Sequence, residues 1–342
     1  MVEAGVAGAV ASSERAGERT LSRFALAFVA LGLIFAAVAA SRGDVFFFRL
    51  ATEALIFGGL ALSVDLLLGC AGMLSLGQAL FFGLGAYVSA LVLKHWLPSF
   101  WLAMVVTLAV ATVVGIVAAV ISIRARGVYF ALITFGLAQV VAKVVYNTPR
   151  LGASDGIIGI PSIRIHLGLF DVATASPGGF FLFCLGFIML LYVACVYVLR
   201  SPAGRLLAAL RSNEDRVPFL GYPVGLVKML AFVLAADVAA LSGALYPMLR
   251  GFVSPELLYF EVSGNAVIMA IIGGAGTLIG PLYGSMLIVA LRSVIGSYTS
   301  HHLIVIGSLF MLAVMFFPQG LLGFLAQRRE RQRQLRRIAT AP

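Results

Sequence analysis

The sequence predicts an all-α, polytopic membrane protein with about ten transmembrane segments, and three observations lead to this prediction. Of the 342 residues, 61% are hydrophobic and only 11% are charged, which is about half of the charge of an ordinary soluble domain. Apolar runs long enough to cross a hydrocarbon core about 30 Å thick recur along the chain. No segment between these runs is long enough to form a soluble catalytic domain.

The apolar runs define the predicted segments. In chain order they cover residues 24–40, 46–68, 73–93, 100–123, 127–146, 179–199, 226–249, 262–272, 278–291 and 303–317. The eighth and ninth are short because Gly273, Gly274 and Gly276 interrupt them, and Pro281 follows. Broken helices at membrane depth persist only where protein or a water-filled cavity surrounds them. We therefore expect 262–291 to be buried or to line a pathway, either as two short spans or as a re-entrant pair.

The placement of basic residues predicts the orientation. Arginines such as Arg124, Arg200 and Arg216 concentrate in loops on one side, and the positive-inside rule places that side in the cytoplasm, together with both termini. Residues 1–23 then form a disordered tail, 24–323 the transmembrane domain and 324–342 a basic tail. Because the basic residues flank spans and lack interleaved aromatics, they indicate contact with membrane lipid and not with nucleic acid.

One charged, helix-forming insert, 201–223, interrupts the apolar pattern on the cytoplasmic side. Ser201 and Pro202 favour a helix start, and we expect Pro218 to end the helix and Gly221 to permit a turn. The apolar stripe of this helix is formed by Leu206, Leu207 and Leu210, bordered by charges of both signs. Such a stripe fits docking into a groove of a partner or lying on the inner leaflet of the membrane.

The motifs of several enzyme classes are missing. The chain has no G-x-x-x-x-G-K-[ST], no H-E-x-x-H and no G-x-S-x-G, which argues against ATP binding in a P-loop, zinc proteolysis and serine hydrolysis. The three cysteines lack metal-binding spacing. We therefore expect a protein that is not an enzyme, with no catalytic residue, metal site or cofactor site of its own.

Polar groups inside the spans are candidates for a translocation pathway. Ser75, Gln78 and Thr134 lie at membrane depth, and each either lines a path or forms an interhelical hydrogen bond. Asn265, beside the broken helix, is a better pathway candidate because unwound backbone and amides together make a polar surface. Asp237 lies in the middle of a span, where an acid is either a buried, hydrogen-bonded group or the coupling-ion site of a secondary transporter.

Glycine spacing is a further feature of the broken region. Gly276, Gly280 and Gly284 follow one another at intervals of four residues. This pattern lets another helix approach closely, and packing is its first interpretation, ahead of a direct role in a pathway.

The chain also resembles a known family over nearly its whole length. The segments that carry the resemblance are GCAGMLSLGQALFFGLGAYVSALVL (69–93), RARGVYFALITFGLAQVV (124–141), GASDGIIGIPSI (152–163), the insert and following span (201–246), the region 251–284 ending in IIGGAGTLIGPLYG, and FPQGLLG (317–323). They are similar to permease subunits of branched-chain amino acid ABC importers, and the LivM-type branch fits best. Two positions depart from the family pattern, which commonly has His at Gln78 and Thr-Gly-Gly at 151–153.

The resemblance implies a set of partners and roles. A second permease, two cytoplasmic ATPases that bind ATP and Mg, and an external solute-binding protein would complete the importer. The insert would be the coupling helix that docks on the ATPase. We assign that contact to Arg205, Leu206, Leu210, Arg211, Asn213, Glu214, Arg216 and Gly221. The expected solutes are branched-chain or other hydrophobic amino acids, with urea or a short-chain amide as the alternative cargo.

Overall fold

A computed structural model describes residues 22–41, 43–166 and 171–298 and positions 307, 308, 311 and 320. The helices, in chain order, are α1 Ser22–Ser41, α2 Val45–Asp65, α3 Gln78–Leu91, α4 Phe100–Ser122, α5 Val128–Asn147, α6 Pro177–Arg200, α7 Pro202–Ser212, α8 Val224–Gly243, α9 Tyr246–Arg250, α10 Phe260–Gly273 and α11 Gly280–Tyr298. A π-helical turn extends α2 through Leu66–Cys70, and another extends α3 through Val92–Trp96.

The prediction of a polytopic helical bundle is confirmed. In the described part of the chain, seven helical segments are long and apolar enough to span a membrane, namely α1 to α6 and the α8–α9 unit Val224–Arg250, and α10 and α11 are shorter apolar helices. The predicted segment 303–317 and both terminal tails fall outside the described residues, apart from a few positions. The total number of spans and the location of the termini remain predictions.

Helix α2 lies at the centre of the bundle. It packs against α6, α8, α10 and α11, and every residue from Gly58 to Asp65 is buried. Small residues permit this packing: a Cβ at Gly59 would overlap the Ser242 hydroxyl group of α8. Close contact through small residues is the usual way in which helices associate where lipid weakens the hydrophobic driving force.

The broken region forms a helical hairpin, which confirms the predicted interruption. Helix α10 has 14 residues, about 21 Å at 1.5 Å per residue, and therefore falls short of a full span. A Cβ at Gly284 of α11 would overlap the Met269 carbonyl oxygen of α10, so the packing interpretation of this glycine is supported. Gly276 differs from the prediction because it lies in the turn with φ +86°, before α11 begins.

Short strands modify the all-α prediction. In the loop that follows α5, β1 Ile157–Ile158 pairs antiparallel with β4 Phe252–Val253, which follows α9. Strands β2 Arg164–His166 and β3 Asp171–Ala173 pair with each other. The first pair connects two loops at one end of the bundle, because both loops follow helices that end there. Lys94 strengthens the connection by donating to the Ile158 carbonyl oxygen at 2.8 Å.

Candidate functional site

Two features of interest lie at opposite ends of α2. A cavity is lined by residues of α2 between Phe46 and Phe57, whereas Asp65 and Gly69 at the other end contact the turn after α10 and the insert. Arg49 and Gly69 are 20 residues apart, or about 30 Å along a helix. We call these the cavity end and the α7 end. The positive-inside prediction places the α7 end in the cytoplasm.

The start of α7 lies at the predicted position, but its bonding differs from the prediction. Ser201 is extended and Pro202 is the first helical residue. The Ser201 hydroxyl group donates to the Val198 carbonyl oxygen at 2.6 Å and does not cap α7. The prediction that Pro218 ends the helix is wrong: α7 ends at Ser212, and Pro218 lies inside the following 3₁₀-helix, Glu214–Leu220.

Two residues shape the turns around this 3₁₀-helix. Asn213 adopts an extended conformation, and its side-chain oxygen accepts from the Asp215 N–H at 3.1 Å. Gly221 has φ +80°, a conformation that glycine adopts without steric cost, as the predicted turn requires.

The apolar stripe of α7 faces the chain's own spans. Leu207 and Leu210 are 4% and 6% exposed and belong to the main hydrophobic core, and Leu206 packs against that core. The elements that contact α7 include α6, α8 and the π-helical turn after α2. Leu206 and Leu210, two of the predicted partner contacts, thus pack against the chain's own core, and Leu206 stays partly exposed. The surface that α7 offers is its polar face.

Ion pairs hold the insert against neighbouring loops. Glu214 lies 2.6 Å from the Lys228 ammonium group and 3.1 Å from the Arg126 guanidinium, and Asp215 lies 2.7 Å from Arg126. Lys228 is 5% exposed, so Glu214 balances its positive charge at a position that water hardly reaches. Glu214, a predicted partner contact, is therefore already paired within the chain.

Other side chains of the insert remain on the surface. Arg205, Asn213 and Arg216 are exposed. Two aromatic residues beside them, Phe219 and Tyr222, are 89% and 49% exposed, and neither was among the predicted site residues. Exposed aromatic groups next to arginines are typical of the central residues of protein interfaces.

A buried carboxylate fixes the turn of the α10–α11 hairpin. Asp65 is fully buried, and it accepts from the Gly276 N–H at 2.6 Å and from the Leu278 N–H at 2.8 Å. These bonds hold Leu278 in a left-handed conformation, φ +58°, that costs a non-glycine residue about 1–2 kcal/mol. Strain of this kind persists only where the surroundings over-determine the conformation.

Arg211 connects α7 to this turn. Its guanidinium donates to the Gly69 carbonyl oxygen, and a Cβ at Gly69 would overlap the Gly276 backbone nitrogen. Arg211 was predicted as a coupling residue, and the structure brings it together with Gly69, Gly276 and Asp65. Asp65 and Gly69 were not among the predicted site residues. An acid at the end of an otherwise apolar span was the available signal.

The cavity has a volume of about 650 Å³ and lies between α2, α9, α10 and α11. Its wall contains three arginines and three glutamates, together with Asn265: Arg49, Arg250, Arg292, Glu53, Glu256 and Glu261. Its apolar lining includes Phe57, Met269, Ile288 and Val289. A concave site with an apolar lining and a few convergent polar groups is the usual form of a small-molecule site.

An ion pair crosses the cavity wall. Arg250 Nη2 lies 2.6 Å from Glu53 Oε2, and the two side chains are 43% and 19% exposed. Glu53 and Arg49 are four residues apart in α2, a spacing that predicts an ion pair within the helix, but the structure pairs Glu53 with Arg250. Among the described residues, no carboxylate lies within 4 Å of Arg49 or Arg292.

The other pathway candidates lie elsewhere. Ser75, Gln78 and Thr134 are buried around the non-helical link between α2 and α3. Ser75 accepts from the Gly77 N–H at 3.3 Å, and Thr134 accepts from the Leu76 N–H at 3.2 Å. These bonds support the local-packing interpretation for both residues.

The two remaining polar candidates differ in how fully they are bonded. The Gln78 side-chain oxygen lies 3.5 Å from the Ser63 hydroxyl group, and its amide nitrogen has no hydrogen-bond partner among the residues that the structure describes. Asp237 is partly buried and accepts from the Thr112 hydroxyl group at 3.0 Å, as the hydrogen-bonded interpretation expects. Of the polar pathway candidates, Asn265 lines the cavity.

The glycines and the proline of the broken region surround the hairpin turn. Gly273 ends α10, and Gly280 and Pro281 begin α11. Gly274 has φ 121°, in the range that L residues rarely adopt. A Cβ at Gly273 would overlap the Gly280 carbonyl group. These residues therefore shape a tight turn, and the cavity lies at the far ends of the two helices.

Comparisons with known proteins agree with this architecture. The model of the family described as branched-chain amino acid transport system, permease component, matches residues 46–317. The chain is 30% identical over 305 residues to the high-affinity branched-chain amino acid transport system permease protein LivM of Escherichia coli K12, which covers 82% of this chain and 70% of that protein. Its identity to LivM of Salmonella typhimurium is 29%, with the same coverage.

A second group of relatives matches a shorter part. The permease protein LivH of Salmonella typhimurium is 26% identical over 130 residues, which are 37% of this chain and 42% of that protein. No solved structure matches the chain.

Proposed function

Because this chain belongs to the permease component family of branched-chain amino acid transport systems, we propose that it is one transmembrane subunit of an ATP-driven importer in the bacterial inner membrane. It forms the translocation pathway for branched-chain or other hydrophobic amino acids, which an external binding protein delivers. Like its relatives, it is a transport subunit and not an enzyme. It needs no cofactor of its own, because ATP and Mg bind to partner chains.

The connection between α7 and the α10–α11 hairpin is the observation that carries this proposal. Arg211 of α7 bonds to Gly69, Gly69 contacts the hairpin turn, and Asp65 holds that turn through two N–H groups. The far end of the same hairpin lines the cavity. A force applied to α7 therefore reaches the cavity through packed and hydrogen-bonded groups, as a transporter driven from outside the membrane requires.

The surface that we propose to contact the ATPase consists of residues of the insert that do not pack against the chain's own core. Leu206, Leu207 and Leu210 are occupied by the chain's own core, so the ATPase would contact Arg205, Asn213 and Arg216 together with Phe219. In this arrangement the leucine stripe fixes α7 to the bundle, and the polar face receives the partner. ATP binding would draw α7 towards its counterpart on a second permease, which we propose to be a LivH-like chain.

Transport then proceeds by alternating access. With the ATPases apart, the cavity is closed to the binding protein's solute. ATP binding moves α7, the Arg211–Gly69 contact and the Asp65-held turn follow, and α10 and α11 pivot to open the cavity. The permease provides a low-affinity path, and most of the solute selectivity resides in the binding protein.

The test is uptake of radiolabelled leucine and, in parallel, of urea in cells with the gene deleted and restored. ATP is kept high while an uncoupler collapses the proton gradient. We expect leucine uptake that requires the gene and survives the uncoupler. Urea uptake under the same conditions would keep the mechanism and change the solute. Uptake that stops with the gradient while ATP persists would reject the proposal, and Asp237→Asn would then be the variant to examine for lost ion coupling.

A further inference from the structure

The charges of the cavity are balanced and lie beside an apolar surface. Three arginines and three glutamates line it, so the wall favours neither a net anion nor a net cation. Met269, Ile288 and Val289 are 4%, 2% and 8% exposed and form a separate small apolar cluster with residues of α2. A ligand that matches this lining carries both charges at one end and an aliphatic group at the other.

The Glu53–Arg250 pair provides both charges at adjacent positions. The two groups are 2.6 Å apart and partly exposed to the cavity. An α-amino acid carries its ammonium and carboxylate groups on one carbon atom, so it presents the complementary charges at a similar separation. Glu53 belongs to α2 and Arg250 ends α9, so opening of their ion pair separates two elements of the bundle.

We propose that Glu53 and Arg250 are the residues that bind the zwitterionic end of the transported amino acid. The substrate ammonium pairs with Glu53 and the substrate carboxylate with Arg250, and the aliphatic side chain lies against Met269 and Ile288. One ion pair of the protein is exchanged for two with the substrate. Because the original pair must be broken, the net gain is small, which suits a conduit that must release its cargo.

This inference rests on the proposed function, and it separates amino acids from the alternative cargo. Urea is neutral and has no aliphatic group, so it matches neither the ion pair nor the apolar lining. A carboxylate without an amine, or an amine without a carboxylate, would satisfy only one of Glu53 and Arg250 and would leave the other charge without its partner. Such analogues are expected to bind more weakly than the amino acid.

The test measures ligand binding without the binding protein. The full-length chain is assembled with its proposed partner permease and ATPases in lipid nanodiscs. A non-hydrolysable ATP analogue is added to hold the cavity open, and saturation-transfer NMR of leucine is then recorded with valine, leucinamide or 4-methylpentanoate as competitor. In the wild type, each single-charge analogue should compete about tenfold more weakly than valine.

The variants assign each charge to its residue. Arg250→Gln should weaken leucine binding about tenfold and remove its advantage over leucinamide. Glu53→Gln should remove its advantage over 4-methylpentanoate. Arg164→Gln and Asp171→Asn, which alter charges on the strand pair β2–β3 outside the cavity, should change neither. Glu53→Asp and Arg250→Lys keep the charges, and they replace the neutral variants in the same binding measurement if those variants fail to assemble.

Two outcomes would overturn the inference. One is leucine binding with unchanged analogue preference in both neutral variants, even where their melting temperatures fall, because the ion pair would then be structural only. The other is equal competition by all analogues in the wild type. Either result, together with ATP-driven leucine uptake in cells, rejects the inference and leaves the proposed function standing. Loss of ATP dependence in cells rejects the proposed function itself.

Discussion

Asp65→Asn should loosen the hairpin turn, and the size of the effect follows from its hydrogen bonds. In the wild type, Asp65 Oδ1 accepts from the Gly276 N–H and Oδ2 accepts from the Leu278 N–H. Asparagine keeps one acceptor oxygen, so its NH₂ group must face the second N–H donor. A hydrogen bond to a charged group contributes about 1.5–3 kcal/mol, and leaving a buried donor unpaired costs about 1–3 kcal/mol more.

One effect opposes this loss. The variant no longer buries a charge, and the removal of that desolvation cost recovers part of the energy. We therefore expect a net destabilisation of about 2–3 kcal/mol, or a melting temperature lower by roughly 5 °C in a chain of this size. The fractional loss of leucine uptake should exceed the fractional loss of folded protein, because α7 would no longer act on the turn.

The assay is thermal unfolding of the purified full-length chain in nanodiscs, followed by uptake in cells. Asp237→Asn is the matched control. It also replaces an acid inside a span, but the hydrogen-bond partner of Asp237 within the described part of the chain is Thr112, whose hydroxyl group can donate equally well to an amide oxygen. We expect the control to change the melting temperature by about 1 °C or less. If Asp65→Asn is no more destabilising than Asp237→Asn, the carboxylate does not anchor the turn and the reasoning is wrong.

The remaining predictions concern the insert, the hairpin and the loop after α5. Leu210→Asp should destabilise the chain by about 4 kcal/mol or more, since it places a charge in the core, and a loss of assembled protein on a gel would show this. Arg205→Glu, on the exposed face of α7, should leave assembly intact and reduce the ATPase activity of the complex, and unchanged activity would exclude Arg205 from the interface. Gly284→Ala should cost about 1–3 kcal/mol because its methyl group would overlap the Met269 carbonyl group, and equal melting temperatures would contradict the close approach of α10 and α11. Ala153→Gly should stabilise the chain by about 0.5–1 kcal/mol, because Ala153 has φ 47°, which glycine tolerates better, and a lower melting temperature would refute this.

The elements of the fold were largely predictable from the sequence. Hydrophobic length identified the long spans, and Gly273 and Pro281 identified the break that the structure shows between α10 and α11. These signals are local, because a helix must satisfy its own backbone and a glycine-rich turn ends it wherever it occurs. The β1–β4 pair was not predictable, since β1 pairs with a segment far along the chain after α9.

The site depended on contacts that the sequence does not encode locally. Asp65 and its partner Gly276 are 211 positions apart, and nothing near either residue indicates the other. Glu53 had a plausible helical partner at Arg49, four residues away, and tertiary packing selected Arg250 instead. The stripe of α7 was correctly identified, but an amphipathic helix beside apolar spans has two possible apolar neighbours, and periodicity does not decide between them.

The distance along α2 between Glu53 and Asp65 determines how far one of them moves when the helix tilts around the other. Glu53 and Asp65 are twelve residues apart, which corresponds to about 18 Å of helix. If α2 tilts by about 10° around its Asp65 end, the Glu53 end moves by about 3 Å over that length. A displacement of this size separates a contact of 2.6 Å. A small rotation where α7 is attached is thus sufficient to open the ion pair in the cavity wall.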